Sequence, residues 1–292
     1  LNNPKVNFVI QDGRNHLLTT HKLYDVITSE PPPPRTAFTV NLYTQEYYQL
    51  QKKHLKPGGI SAQWVPLHSQ GEKEVAMHFS TFRSVFPYTM GWMSVAGEML
   101  LIGSDQPIRI DFEKLKTRLQ EPVLKKALAD IEISNIFAFL SNIWFLDEQV
   151  QALGKGLITD NHPAIEFYLN LGNVIDVSGK EKYVFNRASF DQIAKHLENL
   201  SVTDRMKLKT HYEAMDLYQR GVMYGNRGQL LKALSLIEDN NLIRYHLQAD
   251  RKQIARLIEQ VEINPESWEN LLSLGHSYYQ IGEYEKSIAL LK

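Results

Sequence analysis

The 292-residue chain contains no cysteine, which excludes disulfides, thiolate metal sites and cysteine nucleophiles. Its 32 basic and 33 acidic residues leave a net charge of −1, and its basic runs, such as 52–53 and 125–126, are only two residues long. These features give no support for nucleic-acid binding. The sequence shows neither a signal peptide nor an apolar run long enough to span a bilayer, so we expect a cytoplasmic location for this portion.

An alternation of strand and helix signals occupies the first part of the chain. Residues 24–28 form a short apolar run that the four prolines of 31–34 must end near Glu30. Apolar residues at helical spacing then predict a helix over 42–55, which the Pro-Gly-Gly of 57–59 would stop before a strand over 60–65. This order predicts one repeat of an open α/β sheet.

The same layout occurs upstream. Residues 6–10 predict another strand, Asp12 and Gly13 follow at its end, and 15–20 predict a helix. Ligands of open α/β sheets bind in the crevice beyond the carboxyl ends of the strands. Glu30, Gln63 and Trp64 are therefore expected near such a crevice.

Further elements complete the predicted α/β part. Apolar residues at helical spacing predict a helix over 74–85, 89–95 and 99–103 predict a closing hairpin, and 112–128 predict a charged helix. The apolar run 136–146 is too short to span a bilayer and predicts a buried helix, with the wall of a substrate pocket as the alternative.

Five short motifs occur in an informative order. They are Asp-Gly at 12–13, Tyr-Asp-Val-Ile at 24–27 leading into an acidic loop, Leu-Tyr-x-x-Glu-Tyr-Tyr at 42–48, Leu-Lys-Pro-Gly-Gly at 55–59 and Gln-Trp at 63–64. Together they resemble the spermidine synthases, which share the class I methyltransferase fold. The acidic loop is most similar to that of bacterial members fused behind a membrane transporter-like segment. The Thr-Asp-Asn-His-Pro-Ala-Ile-Glu-Phe of 159–167 resembles the end of that domain.

The resemblance implies a role for each matching residue. Asp12 matches the residue that accepts a hydrogen bond from the adenine amino group of decarboxylated S-adenosylmethionine, and Gly13 lets the backbone come close. Glu30 matches the first acidic residue of the family's Asp-Ser-Ser-Asp loop. Tyr43, Gln63 and Trp64 are the candidates for substrate binding, and no metal ion is implied.

The sequence departs from the family at the catalytic base. The family's second loop aspartate, which deprotonates the attacking amine, falls on Pro33, and proline cannot accept a proton. Glu30 is then the one carboxylate of the loop that could serve as base or as an anchor for a cationic amine.

Each candidate also has a structural explanation. Asp12 and Gly13 are a common turn pair, Glu30 could be a solvated strand-end carboxylate, and Gln63 with Trp64 could serve packing alone. The histidines at 16, 21, 68 and 162 have no partners at ligand spacing, which disfavours a metal site.

The fold of the family that the chain resembles has a strand order of 3-2-1-4-5-7-6, and this order is the template for the prediction. In it, residues 6–10 would be strand three and 24–28 strand four, while strands one and two would precede Leu1. We therefore expect the sequence to be a portion of a longer protein, with transferase activity in the whole and not in this portion. A membrane anchor, if the parent is a transporter fusion, would lie upstream.

The final third is expected to be all-α. From residue 189 onward helix formers dominate, and the spacing Gly221, Tyr224, Gly228, Ala233 recurs as Gly275, Tyr278, Gly282, Ser287. This spacing resembles tetratricopeptide helix pairs, with an insertion or a degenerate repeat between the two copies. The predicted domains are a spermidine synthase-like α/β domain over 1–175, the C-terminal part of a Rossmann-like methyltransferase sheet, and a tetratricopeptide-like region over 176–292.

Three functions remain open from sequence. The first is an aminopropyltransferase-like enzyme that uses decarboxylated S-adenosylmethionine and a polyamine. The second is a catalytically degenerate domain whose repeats bind a protein partner, with Pro31 to Pro34 closing the former amine site. The third is an S-adenosylmethionine-dependent methyltransferase. The resemblance also admits a homodimer.

Overall fold

The computed structural model describes residues 4–34, 36–67, 70–95, 98–166, 182–238, 240–280 and 283–291. The chain divides into two compact units. Unit 1 contains residues 1–108 and 144–188, and unit 2 contains residues 109–143 and 189–292. The predicted boundary between 175 and 176 lies outside the described residues and stays a prediction.

Unit 1 is built on a five-stranded sheet. Its elements are α1 (Gly13–Thr19), β1 (Tyr24–Ser29), a 3₁₀ turn (Thr39–Leu42), α2 (Gln45–Lys53), β2 (Leu55–Pro66), α3 (Glu72–Val85), β3 (Tyr88–Val95), β4 (Glu98–Ser104), β6 (Ile143–Phe145) and α7 (Asp147–Leu153). The strand order is β1-β2-β4-β3-β6. β1 and β2 are parallel, whereas β4 is antiparallel to both β2 and β3.

This order agrees with the second half of the template. If β1 is strand four and β2 strand five, the hairpin β3–β4 supplies strands six and seven in the order 4-5-7-6. The predicted hairpin and the two parallel strands are therefore confirmed. The mixed α/β sheet is consistent with a Rossmann-like fold.

The predicted strand over residues 6–10 is wrong. These residues have irregular backbone, and the side chains of Val6, Phe8, Val9 and Ile10 are all exposed. In the template, strand three pairs with strand two and is separated from strand four by two strands, so residues 6–10 are not expected to pair with the open edge of β1. The described strands include no other neighbour for their backbone groups.

Two helix predictions also need correction. The helix expected over 42–55 begins as a 3₁₀ turn and ends at Lys53, before the Pro-Gly-Gly segment, which lies inside β2. Gly58 there has a φ of 71°, and the β1–β2 register shifts between Tyr24 and Val26. The expected helix over 136–146 is a short helix, α6 (Ile136–Leu140), followed by β6, since Ser141 and Asn142 end the helix.

One face of the sheet is covered by α2 and α3. Ser61, Gln63 and Val65, which alternate along β2, are fully buried, and the Ser61 hydroxyl donates to Gln51 of α2 at 2.7 Å. α3 contributes Phe79 and Phe82, both fully buried. This layer fixes the carboxyl ends of β1 and β2, where the candidate site residues lie.

Unit 2 is mainly helical. Besides α6 it contains β5 (Ile110–Asp111), α4 (Phe112–Arg118), α5 (Pro122–Ala129), α8 (Phe190–Ala194), β7 (Leu197–Glu198), α9 (Val202–Tyr224), α10 (Arg227–Leu236), α11 (Asn241–Ile263), α12 (Trp268–Gln280) and α13 (Tyr284–Leu291). β5 and β7 pair in parallel, so the region after Ser189 is not purely helical as expected.

Both copies of the predicted repeat form helix pairs, α9 with α10 and α12 with α13. A Cβ atom on Gly221 would lie 2.7 Å from Leu230 Cδ2, which explains a small residue where α9 and α10 touch. Gly282 lies outside the described residues. The tetratricopeptide assignment stays a prediction.

Candidate functional site

A cavity of about 630 Å³ opens beside the start of α1 in unit 1. Three segments that are distant in sequence form its walls: the start of α1, the loop after β1 and the turn at residue 160. The described lining residues are Asp12, Arg14, Asn15, Ala37, Phe38, Thr39, Asn41, Leu42 and Asp160. The volume suits a nucleoside-sized ligand, since small-molecule sites span roughly 300–1,000 Å³.

Asp12 lines the cavity, but it does not follow a strand as the sequence predicted, and its role as a ligand contact stays a prediction. It is the N-cap of α1, and its Oδ1 accepts a hydrogen bond from the backbone N–H of Asn15 at 2.8 Å. Gly13 follows as the first helical residue, and a Cβ atom there would meet nothing within 4 Å. The structural explanation therefore accounts for Asp12, which caps a helix, whereas Gly13 is helical and is not among the described glycines with a positive φ. The capping role is compatible with a ligand because Asp12 also lines the cavity.

An ion pair joins two walls of the cavity. Arg14 Nη1 donates to Asp160 Oδ1 at 2.8 Å, Nη2 donates to Asp160 Oδ2, and Nη1 also donates to the Asn41 carbonyl at 2.8 Å. Bidentate pairing of this kind fixes the geometry of both partners. The hydrogen bond from Arg14 lowers the pKa of Asp160, and the same bond raises the pKa of Arg14.

The turn at Asp160 is also tied to α2. The backbone N–H of Asp160 donates to Glu46 Oε2 at 3.0 Å, and the N–H of Gln45 donates to the Ile158 carbonyl at 2.9 Å. Thr159 and His162 close the turn by a β-bridge. Of the motif that resembles the end of the family domain, Asp160 lines the cavity, and Phe167 lies outside the described residues.

Glu30 and Gln63 lie at the same end of the sheet. In the parallel β1–β2 pair, Ser29 and Gln63 are direct partners, so Glu30 and Trp64 each follow at the next position. Glu30 is exposed, and it is not among the described residues that line the cavity at Asp12. The register supports the predicted neighbourhood of these residues at the strand ends.

Gln63 is a buried polar residue with an incomplete set of hydrogen bonds. Its Nε2 donates to the Trp64 carbonyl at 3.1 Å, whereas its Oε1 has no partner among the described residues. A buried carbonyl oxygen without a donor is costly and is often explained by a water or a ligand. Trp64 is half-buried, and its Nε1 donates to Glu98 Oε2 at 2.6 Å.

Tyr43 lies beneath the proline segment. Its side chain is fully buried, and its hydroxyl donates to the carbonyls of Pro31 and Pro32, each at 3.4 Å. Its ring packs edge-on against His78, with centroids 4.9 Å apart. These contacts make Tyr43 a support for the loop after Glu30.

Of the described lining residues, sequence reasoning named only Asp12 as a site residue, and the charged or aromatic ones that it missed are Arg14, Phe38 and Asp160. Asp160 stands in the motif that resembles the domain end, and Arg14 follows Asp12 and Gly13 directly, but no local pattern pairs residues 146 positions apart. Among the described residues, no cluster of three or more His, Asp or Glu could hold a metal ion. No helix within the described ranges is both long and apolar enough to cross a bilayer.

Comparison with known proteins supports the resemblance for the first part of the chain. Residues 1–93 match the family model described as "Spermine/spermidine synthase domain". No curated protein matches the chain. The matched segment contains Asp12, Glu30, Tyr43, Gln63 and Trp64, and it ends before Asp160. The match supports a spermidine synthase-like domain in the first 93 residues, and such a domain suggests an aminopropyltransferase-like activity.

Proposed function

We propose that the protein transfers an aminopropyl group from decarboxylated S-adenosylmethionine to a polyamine. The observation that carries the proposal is the shared cavity: Asp12 and the loop after β1 line one space of about 630 Å³. A carboxylate in such a space can accept a hydrogen bond from the amino group of adenine. The family match over residues 1–93 points to the same chemistry.

The reaction requires little from the protein beyond positioning and proton transfer. The neutral amine nitrogen of the polyamine attacks the methylene carbon next to the sulfonium, and the carbon–sulfur bond breaks. The sulfur keeps the electron pair, which gives neutral methylthioadenosine. The attacking nitrogen of the polyamine loses its proton to a carboxylate or to water. Most of the acceleration comes from holding the two reactants in line.

Glu30 is the proposed acceptor of that proton. Its exposed position at the end of β1 leaves its carboxylate open to a cationic amine, which is the surrounding expected for an amine site. Gln63 on the neighbouring strand is also an acceptor, but its side chain is fully buried, so direct contact with the amine would require it to be uncovered. The exposed Glu30 carboxylate is the acceptor that recognition of a protonated polyamine requires.

A degenerate domain with an adaptor role is the second candidate. Pro33 stands where the family has its base, and Pro31 and Pro34 are buried. In this alternative the proline loop is structural and the helix pairs of unit 2 bind a protein partner. Transfer of a methyl group from S-adenosylmethionine is the third candidate, and it needs the same nucleoside cavity.

The test is release of methylthioadenosine by the full-length natural protein, with decarboxylated S-adenosylmethionine and putrescine as substrates. Glu30→Gln is expected to lower kcat by about a hundredfold, in the range for loss of a general base. Glu266→Gln, an exposed glutamate of unit 2, is the matched control and should leave turnover unchanged.

Each outcome separates the candidates. Turnover that depends on Glu30 supports the transferase. Equal turnover of wild type and Glu30→Gln removes Glu30 from the mechanism. No turnover with any amine, together with methyl transfer from S-adenosylmethionine, would favour the third candidate, and no turnover with either cofactor would favour the adaptor.

A further inference from the structure

Phe38 has an unusual backbone conformation at the wall of the cavity. Its φ is 66° and its ψ is −6°, in the left-handed region that bulky side chains rarely adopt. Such a conformation is unfavourable for an aromatic residue and persists only where the surroundings enforce it.

Long-range hydrogen bonds hold this conformation. The backbone N–H of Phe38 donates to Glu166 Oε1 at 3.1 Å, across 128 positions of sequence. The next residue, Thr39, donates from its hydroxyl to the Pro33 carbonyl at 3.1 Å, and its N–H donates to the Thr36 carbonyl at 3.1 Å. The loop is thus fixed from both sides of Phe38.

The strained residue gains no packing in return. The side chain of Phe38 is 78% exposed, although it is a large apolar ring, and it lines the cavity that also contains Asp12. A residue that is both strained and exposed is hard to explain by stability, because most of its surface stays in contact with solvent. An aromatic face presented to a nucleoside-sized cavity has an obvious use, since any nucleobase can stack on it.

We propose that Phe38 is the stacking platform for the base of the bound nucleoside, with Asp12 accepting a hydrogen bond at the edge of that base. The inference rests on the proposed nucleoside site and adds the residue that stacks on the flat face of the base. The hydrogen bond from the Phe38 N–H to Glu166 Oε1 holds the backbone of Phe38 at the wall of the cavity.

Calorimetric titration of the full-length natural protein with methylthioadenosine tests the platform. Phe38→Ala is expected to weaken binding at least about tenfold, as the loss of one base–aromatic stack predicts, and Phe38→Trp to retain it. Phe38→Gly is the most informative variant, because glycine adopts this positive φ without strain. Its midpoint of thermal unfolding should rise, while its affinity for methylthioadenosine should fall. Leu18→Ala removes an exposed apolar side chain of α1 outside the described cavity lining and is the matched control.

The outcomes distinguish this inference from the proposed function. If wild type and the Phe38 variants bind methylthioadenosine equally, the platform is refuted and the nucleoside site stands. If wild type does not bind methylthioadenosine at all, the proposed site and the platform both fall. If Phe38→Gly lowers both the midpoint of thermal unfolding and the affinity for methylthioadenosine, the platform is also refuted, because Phe38 would then have a structural role.

Discussion

Asp12 combines a structural and a proposed binding role, and the two can be separated by substitution. Asparagine is as good an N-cap as aspartate, so Asp12→Asn should keep α1 folded while removing the negative acceptor from the cavity. We predict that Asp12→Asn leaves the free energy of unfolding nearly unchanged and weakens methylthioadenosine binding by about tenfold, a loss of roughly 1.4 kcal/mol. Denaturant unfolding and calorimetry measure the two quantities.

Asp111→Ala provides a control for the loss of a helix cap, and it also removes the acceptor of a hydrogen bond from Asn199 Nδ2 at 3.0 Å. Asp111 caps α4 in unit 2 by accepting from the N–H of Lys114 at 3.0 Å, as Asp12 does for α1. Its loss should cost about 1 kcal/mol of stability, which is typical of a cap, without any effect on nucleoside binding. Unchanged binding in Asp12→Asn would show that the Asp12 carboxylate does not contact the ligand.

His78 makes the folded state sensitive to mild acid. Its ring is fully buried, and burial lowers its pKa from 6.5 to about 3. Its Nε2 lies 3.0 Å from Gln70 Oε1, and its Nδ1 has no partner among the described residues. The unfolded chain takes up a proton near pH 6.5 and the folded chain does not, so stability is complete above that pH and falls as the pH drops towards about 3.

The predicted slope is at most about 1.4 kcal/mol of unfolding free energy per pH unit, the value for one proton. His78→Gln should flatten the stability profile between pH 6 and roughly pH 4. Asp160, whose pKa is lowered by Arg14, contributes only in more acid solution, because its stabilising charge is lost as the pH falls below 3.8. Urea unfolding across pH separates the two windows, and an unchanged slope in His78→Gln would contradict the assignment.

The helix α3 packs so closely on β4 that one position admits no side chain. A Cβ atom on Gly103 would lie 2.6 Å from Phe82 Cε1 and 2.7 Å from Phe86 Cβ. We predict that Gly103→Ala destabilises the protein by about 1–3 kcal/mol through overpacking, as measured by denaturant unfolding. Gly13→Ala, where the same atom would meet open space, is the control for stability. If the two variants are equally stable, the space between Gly103 and α3 must be larger than the distances to Phe82 and Phe86 indicate.

Elements that depend on local signals were predictable. The strand over 24–28 ends at a run of prolines, the hairpin has two mainly apolar strands, and the helix over 74–85 has one apolar face. Residues 6–10 are equally apolar, yet they form no strand because a strand depends on a neighbour that sequence spacing does not reveal. Local pattern therefore predicts which segments can be strands, and pairing decides which of them are.

The candidate site was predictable only in part for a related reason. The neighbourhood of Glu30 and Gln63 could be inferred from the ends of two parallel strands, whereas Asp12 was singled out by a motif that follows a strand that does not form. Arg14 contacts Asp160 across 146 positions of sequence, and the N–H of Phe38 contacts Glu166 across 128 positions. No sequence pattern near these residues predicts either contact. The strained φ of Phe38 is a property of the assembled loop and not of the residues that flank it.

Unit 2 depends on residues from the middle of the chain. Phe137 of α6 stacks on His211 of α9, with centroids 5.4 Å apart, and also packs on Phe112 at 5.9 Å. The half-buried ring thus links two segments of unit 2 that are far apart in sequence. The whole molecule is therefore not a simple chain of consecutive domains, because residues 109–143 belong with residues 189–292.

We predict that Phe137→Ala lowers the stability of unit 2 by about 1–2 kcal/mol, below the value for a fully buried phenylalanine. Amide hydrogen exchange should accelerate in α9, although Phe137 lies outside that helix. Val123→Ala, at a side chain that is 80% exposed, should leave exchange unchanged. Exchange in α9 that does not respond to Phe137→Ala would show that the two segments are energetically independent.

The most direct test of the account is a crystal structure of the full-length natural protein with methylthioadenosine bound. The account predicts the ligand in the cavity, with the adenine amino group donating to Asp12 and the ring of Phe38 stacked on the base. Methylthioadenosine bound elsewhere, or a cavity that stays empty at saturating ligand, would contradict the central claim that this cavity is a nucleoside site.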